Sequence, residues 1–159
     1  MMILIRCLSN RTSITFMLPH KMLKIGHQKY IKTLKMTYQW DNKKPTAQML
    51  GRWQPFHDGH YTLFKEIIKK TGQVCIQIRD VQGLDDNPFD FDTVKKNIED
   101  RLNPEFEGRF KIMLVPNITN ICYGRGVGYK IEEIVLSEEI QKISATKIRA
   151  KMREEGKLK

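Results

Sequence analysis

The sequence predicts an α/β domain built on a single open, mainly parallel sheet with helices on both faces. Three observations lead there. Short apolar runs alternate with amphipathic helical stretches from about residue 46 to 155. The first strand, helix and second strand fit within about 35 residues, the length of a right-handed crossover between parallel strands. The chain has 159 residues, one domain's worth and enough to bury a core.

The first strand is expected over 46–50, ended by Gln54-Pro55, because proline fixes φ and removes an N–H donor. After the turn, Tyr61, Phe64, Ile67 and Ile68 recur at helical spacing, and Thr71-Gly72 stops that helix. Residues 73–79 form the second strand, with Val74, Ile76 and Ile78 alternating against polar or small partners. A loop over 81–88 carries Gly83, the paired acids Asp85 and Asp86, and Asn87-Pro88-Phe89. Asp90 is the expected N-cap of a second helix striped by Phe91, Val94, Ile98 and Leu102, with Asn103-Pro104 as its end. Residues 110–115 are a third strand. The chain then runs through a long loop over 117–129, a weak fourth strand over 131–136, and a last helix after Ser144 that continues toward Gly156. Ligands on such sheets lie beyond the carboxyl ends of the strands.

Charge narrows the function classes. The chain carries 28 Lys+Arg against 18 Asp+Glu, but residues 1–40 hold seven of the basic residues and none of the acidic ones. The remainder is therefore only mildly basic, 21 against 18, which argues against nucleic-acid binding. No apolar run approaches the roughly 20 residues of a membrane span, so no membrane partner is expected. Cys7, Cys75 and Cys122 suggest neither a disulfide framework nor a zinc site, and a reducing compartment, the cytoplasm, fits best. Residues 1–35 read as a basic extension outside the domain at 44–156. It is an early-called start or a disordered tail, with a targeting peptide as the alternative.

The chemistry concentrates in two stretches. In Gly51-Arg52-Trp53-Gln54-Pro55-Phe56-His57-Asp58-Gly59-His60, two histidines flank a glycine at a strand-to-helix turn. Such a turn aims free backbone N–H groups at an anion, most often phosphate. Near the C-terminus, Ile143-Ser144-Ala145-Thr146-Lys147-Ile148-Arg149 puts two hydroxyls, a lysine and an arginine at a helix N-terminus, a second set of anion ligands.

Together these stretches, about 85 residues apart, resemble the His-x-Gly-His and Ile-Ser-x-Thr-x-x-Arg motifs of the cytidylyltransferase-like nucleotidyltransferases. The form Gly-Arg-Trp-Gln-Pro-Phe-His is similar to that of archaeal-type nicotinamide mononucleotide adenylyltransferases. The resemblance implies a Rossmann-like fold and transfer of a nucleoside monophosphate from a triphosphate to a small, phosphorylated acceptor, with pyrophosphate leaving. It favours ATP over CTP as donor, with a cytidylyltransferase acting on a phosphorylated alcohol or sugar as the alternative.

By motif position, His57, His60 and Arg149 would be catalytic. Gly51, Arg52, Trp53, Gly59, Ser144, Thr146 and Lys147 would bind nucleotide. Arg79, Asp80 and Asn87 are candidates for the acceptor. Mg2+ is expected, held chiefly by the triphosphate, with no protein metal site. An oligomer is possible. The rival from another class is a nucleotide-binding module without turnover.

Overall fold

The computed structural model describes residues 38–158 apart from 84, 85 and 127, so the basic extension over 1–35 and Asp85 lie outside the described residues. Three strands, β1 (Ala47–Gly51), β2 (Val74–Arg79) and β3 (Phe110–Val115), form one parallel sheet in the order β1-β2-β3. Met49 pairs with Ile76, and Ile76 with Ile112. Helix α1 (Asp58–Thr71) joins β1 to β2, and α2 (Phe91–Phe106) joins β2 to β3. A short α3 (Glu138–Gln141) precedes α4 (Ala145–Glu154). The expected Rossmann-like α/β architecture is therefore present.

The core follows from strand alternation. Val74, Ile76 and Ile78 are fully buried, in one cluster with Met49, with Phe64, Ile67 and Ile68 of α1, and with Val94, Ile98 and Leu102 of α2. Both crossover helices thus pack on one sheet face, not on both faces as expected, because right-handed connections stay on one side when successive strands are added in one direction. The opposite face carries Gln48, Lys111 and Met113, all exposed, and Gln48 donates to Gln77 across it.

Several boundaries differ from expectation. Helix α2 runs through Pro104 to Phe106 rather than ending there. A proline so near the end disturbs little more than the last turn, and Phe106 packs edge-on against Phe64, with ring centroids 5.2 Å apart. Residues 131–136 form no strand: Ile131 and Val135 are exposed, Ile134 alone leans on the core, and Glu132 pairs with Lys70 of α1. The pair Glu132-Glu133 gives that segment no apolar stripe to bury.

Gly72 is the left-handed C-cap of α1 (φ 79°), and Asp90 caps α2 by accepting from the Thr93 N–H at 2.7 Å. The packed body reaches back to Tyr38, because the fully buried Gln73 accepts from the Tyr38 hydroxyl and donates to Thr46 Oγ1 and to the Asp41 carbonyl.

Candidate active site

The turn between β1 and α1 is built around a wedged indole. Trp53 is buried with φ 55°, donates its Nε1–H to the Gln77 carbonyl at 3.0 Å, and lies so close to Gly51 that a Cβ there would stand 2.5 Å from the ring. The Gln54–Pro55 peptide is cis. The edge of the indole meets His60 at 4.8 Å between centroids, and Phe56 lies 5.5 Å from the same imidazole. Trp53 therefore backs the histidine, its own donor already committed.

His57 is the N-cap of α1. Its Nδ1 accepts from the Gly59 N–H at 3.1 Å, while His60 Nδ1 accepts from the His57 N–H at 3.4 Å. This is a capping box made of two imidazoles, whose rings stack 3.7 Å apart. Each ring uses Nδ1 as an acceptor, so in the neutral form the proton sits on Nε2 of both.

Burial keeps them neutral. It lowers the His57 pKa, against a smaller opposing pull from Asp58, and brings His60 down to about 3, with His57 adding to the effect. The Gly59 N–H, expected to face an anion, is instead spent on His57, and a Cβ on residue 59 would stand 2.9 Å from that ring. The imidazole Nε2–H groups are left as donors.

Arg149 joins this turn from 95 residues away. Only 4 % exposed, it donates from one terminal nitrogen to the Gln54 carbonyl at 2.7 Å. The other terminal nitrogen donates to Asp86 Oδ1 at 2.7 Å and to Thr146 Oγ1 at 3.3 Å, while Nε, also buried, has no partner. Gln54 also holds the loop before α2: its amide donates to the Phe89 carbonyl at 2.8 Å and accepts from the Phe89 N–H at 3.0 Å. The structure thus gathers His57, His60 and Arg149 around Gln54.

The other expected ligands are distributed unevenly. Ser144 occupies the N-cap position of α4, but its hydroxyl makes no cap hydrogen bond. Thr146 and Lys147 are exposed on the first turn of α4. Arg52 reaches Asn87 Oδ1 at 3.5 Å, and Asn87 is buried. Arg79 is engaged by Asn117 Oδ1 through Nε at 3.1 Å, and Asp80 is exposed at the end of β2 with its N–H on the Val115 carbonyl. Of the acceptor candidates, Asn87 alone is hydrogen-bonded to the first turn, through Arg52.

A shallow cleft of about 410 Å3 opens beside His57, lined also by Asp58, Asp100, Arg101 and Met152. Its carboxylates, with Arg101 committed to Asp58, suit a neutral ring better than a phosphate. Among the described residues no three His, Cys, Asp or Glu side chains group to hold a metal, and no helix is long and apolar enough to cross a membrane.

Two residues of this assembly have no role in the sequence reading. Gln54 there is only a strand breaker, and Asp86 one of two loop acids. A glutamine beside a proline in the middle of a charged turn is the one signal that pointed to the first.

Comparison with known proteins gives one link. No family profile matches the chain. A stretch of 45 residues is 44% identical to a nicotinamide-nucleotide adenylyltransferase of Methanococcus aeolicus, covering 27% of this chain and 26% of that protein. That stretch relates the chain to the nucleotidyltransferases, and it spans about a quarter of the relative's length.

Proposed function

We propose that this protein transfers AMP from ATP to a small phosphorylated acceptor with release of pyrophosphate. The observation that carries the reading is the convergence of two neutral, Nε2–H-bearing imidazoles and a buried arginine on one strand-to-helix turn. The partial likeness to an adenylyltransferase supports it and makes nicotinamide nucleotide the first acceptor to test.

In this reading the acceptor oxygen attacks the α-phosphorus in line, and the bond to the bridging oxygen of the leaving pyrophosphate breaks. The imidazole Nε2–H groups donate to oxygens on which charge grows, and burial, which lowers both pKa values, favours the neutral ring in each. Both rings are fixed before substrate arrives, by the capping bonds and by Trp53, so little reorganisation accompanies the reaction. Arg149, with Thr146, Lys147 and Ser144 at the start of α4, takes the β- and γ-phosphates, and the buried guanidinium supplies the positive charge that the histidines lack. Arg52 and Asn87 face the acceptor.

Mg2+ would be carried in by the triphosphate itself, since it keeps its waters and uses few protein ligands. Its chemistry is to neutralise phosphate charge.

The test is pyrophosphate release with Mg2+ and either ATP or CTP, against nicotinamide mononucleotide, glycerol phosphate and phosphocholine, with His57→Ala beside the wild type. Release that requires ATP, one acceptor and His57 is the expected result. Release with CTP alone shifts the reading to a cytidylyltransferase, and triphosphate binding without release leaves a silent nucleotide-binding module.

A further inference from the structure

The guanidinium meant for a triphosphate already holds an anion. Asp86 Oδ1 lies 2.7 Å from a terminal nitrogen of Arg149, in an ion pair whose two side chains are unequally placed: that of Arg149 is 5% exposed, that of Asp86 68%. A buried guanidinium without a counter-charge is strongly disfavoured, so some anion has to sit there when nucleotide does not. Asp86 comes from the loop between β2 and α2, whereas the other two partners of Arg149 are uncharged oxygens, the Gln54 carbonyl and the Thr146 hydroxyl. The asymmetry in exposure decides which partner leaves. Releasing Asp86 returns a largely solvated carboxylate to water at small cost, while Arg149 keeps its bond to Gln54 and the unpartnered, buried Nε.

We propose that Asp86 is a built-in competitor that occupies Arg149 in the nucleotide-free protein and is displaced by the polyphosphate tail, so that it sets triphosphate affinity. The residue acts on the anion site through Arg149 and rests on the reading of that site given above.

The test uses inorganic tripolyphosphate, which carries the tail without a base, titrated calorimetrically into the full chain at fixed ionic strength. Removing the competing carboxylate in Asp86→Asn and in Asp86→Ser should tighten binding by about two- to fivefold, the range of a partly exposed ion pair. Asp86→Glu, which keeps the carboxylate, should bind like the wild type. Glu66→Gln makes the same change in net charge on α1 and should leave the affinity where it is.

Tighter binding is the telling sign, because a structural lesion loosens a site. Unchanged or weaker binding in both Asp86→Asn and Asp86→Ser overturns the inference, as does equal tightening in Glu66→Gln or a wild type that binds no tripolyphosphate. Pyrophosphate release from ATP by the wild type reads the function separately. Turnover without tightening sinks the competitor and spares the enzyme, and tightening without turnover does the reverse.

Discussion

Replacing His60 by glutamine removes a titratable group that burial holds neutral, while leaving a side chain that can still accept from the His57 N–H, since glutamine serves at that position of ordinary capping boxes. The two proteins should then differ in how acid affects them. The folded-state pKa of His60 is about 3, against about 6.5 when unfolded. Between those values the unfolded chain binds a proton that the folded chain refuses, so the neutral ring's contribution is complete above pH 6.5 and is lost as pH falls toward 3.

The loss is about 1.4 kcal/mol per pH unit in that window, or about 2 kcal/mol by pH 5. Against a typical total of about 5–15 kcal/mol this is a large effect. Urea unfolding followed by circular dichroism at pH 7.5, 6, 5 and 4.5 measures it. The glutamine variant loses ring contacts with Trp53 and Phe56 and should be less stable at pH 7.5, yet its stability should fall more slowly on acidification. Carboxylate titrations common to both cancel in the comparison. Parallel curves for the two proteins would refute the argument that His60 is buried neutral.

Three further perturbations follow from the site. If His57 donates to the reacting phosphate as proposed, His57→Ala should lower turnover by about 10²–10³-fold in the pyrophosphate assay. The helix it caps should lose only about 1 kcal/mol in a thermal melt. Gly51→Ala forces a methyl to within 2.5 Å of the Trp53 ring, so an unfolding titration should show destabilisation of about 1–3 kcal/mol. Arg149→Lys cannot reach Gln54, Asp86 and Thr146 together, and should weaken tripolyphosphate binding measurably by calorimetry even though the charge is kept.

Local signals in the sequence located most of the scaffold. The alternation of Val74, Ile76 and Ile78, the Gly72 stop and the Asp90 cap each depend on residues within a few positions of one another, and each element stands where those signals put it. What the sequence left open depends on contacts made at a distance. Helix α2 passes Pro104 because Phe106 has an aromatic partner on α1. Residues 131–136 do not join the sheet, and Glu132 pairs instead with Lys70 of α1. Ser144 stands at the cap position, but its hydroxyl makes no cap hydrogen bond.

The two histidines stand at the strand-to-helix turn where the motif put them, but the Gly59 N–H that such a turn would offer an anion is taken by His57 Nδ1. Asp86 lies 63 residues from Arg149, and Gln54 lies 35 from Phe89, so neither pairing has a periodicity by which to find it.

Gln54 deserves its place at the centre of these contacts for a mechanical reason. Its side-chain amide bonds to Phe89 through both donor and acceptor, as a neighbouring strand would, and its own backbone carbonyl receives Arg149. One residue is therefore the pivot on which two otherwise independent levers turn, the loop leading into α2 and the helix α4. A push on either reaches the other through a single rigid joint a few ångströms long. The loop leading into α2 and the start of α4 are thereby geared together, and a chain with a looser residue at this position would let them drift out of step.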